Sequence, residues 1–274
     1  MNREHVLPQI VLRSWPFPRG AGRLIDRYFR SLKFSQDRAT IRTTDGFEMT
    51  VQPNDLIGRH LYLTGEFDRS IVELLLSLAR PGDTLLDIGA NIGYVSACFL
   101  ANVPDSSVVA VEPQPAVADL LRQNLARFGR SNIIQAAISD HDGAGAIEEC
   151  ADNPGAGRLV NGGVNSIPVD LWTGARLFTS AKIAKLDLVK IDVEGHEEEV
   201  FASCIAHFGR LKPRAIVFEC TTDKASPTNS IGGGLRSIGY DIFGLRKRLT
   251  KLDLVPIRRA GDCSFNDYVA MLRR

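Results

Sequence analysis

From Glu66 to Glu219, short apolar runs alternate with stretches of helical period, and this alternation restricts the fold more than any other feature of the chain. Ile71, Leu74, Leu75 and Leu78 recur on one helical face, Pro81-Gly82 ends that helix, and "TLLDI" at 84–88 follows as a buried strand. Further strands are expected at "VVAVE" (108–112), "IIQAAI" (133–138), "LDLVKIDV" (186–193) and "AIVFE" (215–219). Runs this short and apolar on both faces belong in a parallel sheet covered by helices on both sides. Ligands of such sheets bind at the carboxyl ends of the strands.

The two ends of the chain depart from this pattern. Residues 1–53 read as an extension packed on a core at 54–274, with an amphipathic helix near "AGRLIDRYFRSLK" and a hairpin turning at Asp45-Gly46. Near the C-terminus "YDIFGL" and "DYVAML" have no helix between them, so they should close the sheet as an antiparallel pair. The glycine-rich segment from Asp140 to Pro168 is too long for a plain connection and reads as a substrate-facing loop or a mobile insertion. Gly232, Gly233 and Gly234 fall where the last crossover helix belongs, at ~1 kcal/mol each relative to alanine, so that helix should be short or frayed.

Charge narrows the partners. The 33 basic and 32 acidic residues leave a net charge of +1, which gives no general attraction to nucleic acid or to an anionic membrane. A small-molecule or glycan substrate fits better. Five cysteines without a C-x-x-C pair suggest reduced, packed thiols and a cytoplasmic protein. No run approaches the ~20 apolar residues of a membrane span, and "MNREHVLPQIVL" lacks the clean apolar centre of a signal peptide.

The first strand leads into "LLDIGANIGYVS" (85–96), where Gly89 and Gly93 make a turn that lets a ligand approach the backbone. A dinucleotide fingerprint, G-x-G-x-x-G, needs bare glycines around an anionic pyrophosphate, and here Asp87 adds negative charge just before the turn. S-adenosylmethionine suits the site better: it has no phosphate, a positive sulfonium and an ammonium group. Glu112 ends the second strand, where a carboxylate can accept both ribose hydroxyls, and Asp140 follows the third, where it can accept from the adenine amino group. Each acid alone is ordinary turn chemistry. Three in register are harder to dismiss.

Together with "VVAVEPQP" (108–115), Asn124, "AAISDHDG" (136–143) and "LVKIDVEGHEEEVF" (188–201), this stretch resembles the FkbM family of S-adenosylmethionine-dependent methyltransferases. The resemblance spans about residues 56–220. It implies a class I methyltransferase fold, a Rossmann-like and mostly parallel α/β sheet, and an O-methyl preference. It matches Asp87, Gly89, Gly93, Glu112 and Asp140 to cofactor positions, and Asn91 and Asp192 complete the candidate cofactor set. Ser203 stands where the family usually has glycine, which touches only local helix packing.

Alternation along the fourth strand puts Lys190 and Asp192 on one side, with Asp192 at its carboxyl end beside the expected methyl position. Glu194 and His196 follow on the turn. His196 is the expected general base, because imidazole titrates near neutral pH; a solvated or capping histidine is the bland alternative. Asp192 and Glu219 end neighbouring strands and could hold Mg²⁺, but no third ligand is evident, so no metal is assigned. A nucleotide-dependent oxidoreductase and a non-catalytic cofactor-binding protein are the rival readings.

Overall fold

The computed structural model describes residues 9, 12–15, 20–150, 153–160, 162, 166–220 and 223–273. Eight of the described strands form the main sheet, in the order β13-β12-β14-β11-β10-β3-β4-β5. The central five are β3 (Thr84–Ile88), β4 (Ser107–Val111), β5 (Ser131–Ile134), β10 (Leu188–Ile191) and β11 (Ala215–Glu219), paired in parallel. β14 (Asp267–Leu272) runs antiparallel to both β11 and β12 (Tyr240–Lys247). The antiparallel closing pair is therefore present, extended by β13 (Leu252–Pro256), which the sequence reading did not anticipate.

Alternating strand residues feed two apolar clusters, one on each face. Leu85, Val108, Leu188 and Val217 pack with helices α2 (Leu56–Thr64), α3 (Arg69–Leu78), α4 (Tyr94–Asn102) and α5 (Pro115–Leu125). Leu86, Val109, Val189 and Phe218 pack with α6 (Gly174–Ser180), α7 (Glu197–Leu211) and α8 (Ser230–Ser237). Period-two alternation thus supplies a core on both sides of one sheet. α8 is a short helix as expected, and Gly232 has a packing reason: a Cβ there would stand 2.0 Å from the Ser226 carbonyl oxygen. Cys98 and Cys204 are buried free thiols, Cys220 is buried, Cys263 is partly buried, and the Cys150 side chain lies outside the described residues.

Two readings change. "IIQAAI" is not one strand: β5 stops at Ile134 and β6 (Ala137–Ser139) joins a separate sheet ordered β6-β9-β7-β8. The glycine-rich segment is neither a plain loop nor a loose insertion, because β7 (Gly143–Cys150), β8 (Asn153–Val160) and β9 (Ser166–Thr173) make up the rest of that sheet. Gly145 is needed there, since a Cβ would meet Leu171 Cδ2 at 2.8 Å.

Near the N-terminus, α1 (Ala21–Leu24) continues as a π turn over Ile25–Phe29, and the Asp45-Gly46 hairpin joins β1 (Ala39–Arg42) to β2 (Glu48–Val51) with Arg42 opposite Glu48. Met49 and Val51 enter the main core. Asn124 of α5 fixes the hairpin: its Oδ1 accepts from Thr50 N at 2.8 Å, and its Nδ2 donates to Thr50 O at 3.0 Å and to Ile92 O at 2.9 Å.

Candidate active site

The turn after β3 is built from left-handed residues, Gly89 (φ +77°), Asn91 (φ +50°) and Gly93 (φ +90°). Asparagine tolerates that region better than most side chains, and its Oδ1 accepts from Ile92 N at 2.8 Å. Gly89 admits no side chain, because a Cβ would stand 1.8 Å from the Asp192 carbonyl oxygen. The turn therefore rests directly on the end of β10.

Glu112, at the end of β4, holds the turn from the other side. Its carboxylate accepts from Asn91 N and from Gln114 N, each at 3.1 Å, and it is 4% exposed. Burial outweighs those two hydrogen bonds and pushes its carboxyl up to about 7.

Over these residues lies a cavity of about 720 Å³, counting its open mouth. Gly89, Asn91, Glu112, Gln114, Asp192, Glu194 and His196 line it together with apolar Ile57, Val111, Ile138 and Leu159. Gln114 is 3% exposed, and its Oε1 has no hydrogen-bond partner among the described residues. A buried acceptor left unpaired costs roughly 1–3 kcal/mol, which marks Gln114 as waiting for a donor. The sequence reading missed it, although "EPQP" directly after a strand end was the available signal. It also missed Ile57 of α2 and Leu159 of β8, which line the cavity.

The three strand-end acids do not form one set. Asp87 is fully buried behind the wall rather than on it: Ser96 Oγ donates to its Oδ2 at 2.6 Å, and Lys190 Nζ stands 3.3 Å from its Oδ1. Its charge is met internally. Asp140 is exposed, accepts from Ser139 Oγ at 3.2 Å and pairs with His141 at 2.7 Å, outside the cavity lining. The His141 hydrogen bond holds its carboxyl below the usual range. Glu112 alone of the three faces the cavity.

The groups after β10 spread in two directions. Asp192 lies 3.4 Å from Lys190 Nζ and is hydrogen-bonded to Glu219, whose carboxyl is pushed up to about 8 by burial and by the adjacent Asp192 charge. Glu194 takes a left-handed conformation (φ +53°); burial and Asp192 raise its carboxyl, while Arg158 of β8 opposes the shift. His196 stands at the N-cap position of α7 without capping it, and its side chain turns toward β6, with Nε2 3.1 Å from Ser139 Oγ and Nδ1 3.4 Å from Glu199. No group of three or more potential metal ligands occurs among the described residues.

The family model for the methyltransferase FkbM domain matches residues 87–238, which take in the glycine turn, Glu112 and the residues after β10. The chain belongs to the FkbM methyltransferase family. Its sheet, parallel in the centre with an antiparallel closing strand, is the class I methyltransferase α/β fold. Among curated relatives of this chain, hexuronic acid methyltransferase AglP of Haloferax volcanii is 35% identical over 154 residues, covering 55% of this chain and 61% of AglP. 2-O-methyltransferase NoeI of Sinorhizobium fredii is 27% identical, covering 49% and 61%. 31-O-demethyl-FK506 methyltransferase FkbM of Streptomyces tacrolimicus is 31% identical, covering 45% and 60%. The chain thus spans less than two thirds of the length of these relatives.

Proposed function

We propose that the chain is an S-adenosylmethionine-dependent O-methyltransferase whose acceptor is a hydroxyl of a small molecule or glycan. The observation that carries this is the cavity at the carboxyl ends of β3, β4 and β10, with Glu112 on its wall and the unpaired Gln114 Oε1 buried beside it. Two of the similar proteins are named for methylating oxygen and one for acting on a hexuronic acid, which supports the oxygen and the glycan parts of the reading.

The residues present fit that donor. Glu112 would accept from the ribose hydroxyls, Gln114 from the adenine amino group, and the Gly89–Gly93 turn leaves room for the methionine part. A pyrophosphate would face Glu112, Asp192 and Glu194 without an opposing cation on the cavity lining, which weighs against a dinucleotide. When bound, S-adenosylmethionine supplies a methyl group on a positive sulfonium, open to in-line displacement by an acceptor oxygen.

The chain has to align the acceptor and take its proton. Both Asp192 and His196 line the cavity, but their surroundings differ. His196 has both ring nitrogens engaged and lies toward the Ala136–Ile138 end, which this pose gives to adenine. Asp192 stands at the other end, against the Gly89 turn and Glu219. We therefore assign proton acceptance to Asp192, with Glu219 holding a shared proton and Lys190 fixing the carboxylate; Glu194 and His196 shape the cavity. Calorimetry with S-adenosylhomocysteine and with NAD tests the whole reading. Binding of the first and not the second is expected, and the reverse would return the protein to the oxidoreductases.

A further inference from the structure

Three neighbouring strands of the main sheet, β10, β11 and β14, bring a row of acids to one edge. Asp192 follows β10, Glu219 ends β11, and Asp267 of β14 stands opposite Glu219 in the antiparallel register. Glu219 is therefore the middle member. It is hydrogen-bonded to Asp192 on one side and feels the Asp267 charge on the other. A lysine holds each end of the row: Lys190 Nζ lies 3.4 Å from Asp192, and Lys247 Nζ of β12 lies 2.9 Å from Asp267.

Lys247 is itself anchored. Its Nζ also lies 2.9 Å from Asp68, which stands at the N-cap position of α3 in a left-handed conformation (φ +39°). The Asp68 side chain makes no capping bond to α3 and pairs with Lys247 instead. Between them, Asp68 and Asp267 hold the Lys247 ammonium charged against the effect of burial.

Two carboxyls can hydrogen-bond to each other only while one of them keeps a proton. Which of Asp192 and Glu219 keeps it matters, because an acceptor hydroxyl can give its proton only to the carboxylate. Lys190 beside Asp192 favours the negative charge there, and Asp267 beside Glu219 disfavours a negative charge on Glu219. The two influences act in the same sense from opposite ends of the pair, an arrangement that drives the proton affinities of two carboxyls apart. Glu194, on the turn after β10, adds to the pressure against charge on Glu219. Lys247 weakens the Asp267 charge without cancelling it, because Asp68 shares the same ammonium.

We propose that Asp267 is a positioning residue for the methyl transfer: from the far side of Glu219 its carboxylate keeps the proton of the pair on Glu219, leaving Asp192 as the free carboxylate, and Lys247 sets the strength of that effect. The proposal rests on the assignment of proton acceptance to Asp192.

Side-chain carboxyl NMR of the full chain with isotope-labelled glutamate tests it, with the Glu219 signal identified as the one lost in Glu219→Gln. The Glu219 midpoint, about 8 in the parent, should fall by about one pH unit in Asp267→Asn and rise by a similar amount in Lys247→Met. Lys247→Arg, which keeps the charge, should leave it near the parent value. Opposite shifts from two substitutions at the same ion pair are a signature of charge, since loosened packing would move both variants toward an ordinary carboxyl. A Glu219 midpoint unmoved by Asp267→Asn overturns the proposal. If Asp267→Asn does not fold, Lys247→Met decides, and an unmoved or lowered midpoint there overturns it equally. The titration needs neither donor nor acceptor, so it separates the two readings. Shifts as expected, with turnover retained in Asp192→Asn, overturn only the choice of Asp192 as base; unmoved midpoints, with turnover lost in Asp192→Asn, overturn only the role of Asp267.

Discussion

Lys190 and Asp87 form an ion pair inside the sheet, with Nζ 3.3 Å from Oδ1 and the two residues opposite each other in the β10–β3 register. The Asp87 side chain is fully buried and that of Lys190 is 8% exposed. Burial alone would lower the Lys190 ammonium, but Asp87 and then Asp192 outweigh it and hold the group charged.

Removing one partner of such a pair leaves an uncompensated buried charge, at about 3–5 kcal/mol. Lys190→Met should lose that much stability in chemical denaturation. The double substitution Lys190→Met with Asp87→Leu should lose clearly less than the sum of the two single changes, because neither charge is then left alone. Additive losses would mean that the pair is not coupled.

Donor affinity should separate two neighbours on β4 and its following turn. On the proposed pose Glu112→Ala would remove charge-assisted hydrogen bonds to the ribose, so S-adenosylhomocysteine should bind about 10- to 150-fold more weakly by calorimetry. Gln114→Leu removes one neutral hydrogen bond and should weaken binding roughly 10-fold. It also deletes an orphaned buried acceptor, so the melting temperature of the ligand-free protein should hold or rise. A marked fall in that temperature would show that Gln114 already has a partner.

Turnover should depend on Asp192 more than on His196. Loss of a general base lowers rate about 10²- to 10⁴-fold, so Asp192→Asn should fall in that range with donor affinity little changed. His196→Asn should stay within about 10-fold, and EDTA should have no effect. The opposite ranking moves the base to His196, and loss of activity in EDTA alone replaces both with a metal-assisted reaction.

Two carboxyls set a pH dependence whose sign is fixed by their direction of shift. Glu112 and Glu219 are raised from an ordinary 4.5 to about 7 and about 8, so the folded state binds their protons more tightly than the unfolded chain. Their contribution to stability is complete below about 4.5 and is lost as pH rises through 7 to 8. Melting temperature of the ligand-free protein should fall across that window, and Glu219→Gln should flatten the fall. An identical slope in the variant would show that Glu219 titrates normally.

Strand-end positions of β3, β4, β10 and β11 were legible because each is a short, mostly apolar run closed by a glycine or acidic turn, as in "TLLDI" and "AIVFE". The α3 face was legible for the same reason: Ile71, Leu74 and Leu75 are all buried. What each acid faces was not. Asp87 looks inward only because the register sets it opposite Lys190, a fact of strand adjacency that no local pattern carries. The break inside "IIQAAI" was hidden because both of its strands are apolar, and β7 was hidden because Ala144, Gly145 and Ala146 leave almost no alternation to read. The Gln114 side chain lies outside any charge pattern, and only its missing partner reveals it.

Asn124 gives the N-terminal hairpin a role that its distance from the cavity would not suggest. One amide is tied both to Thr50 of the hairpin and to Ile92 of the glycine turn, so hairpin and turn share a fastener. A chain trimmed to begin at residue 54 would strand that amide with two of its three bonds missing and would uncover the Met49 and Val51 pockets. The hairpin of β1 and β2 is then tied into the same packed unit as the glycine turn, and a protease cut between hairpin and core should loosen that turn from a distant part of the sequence.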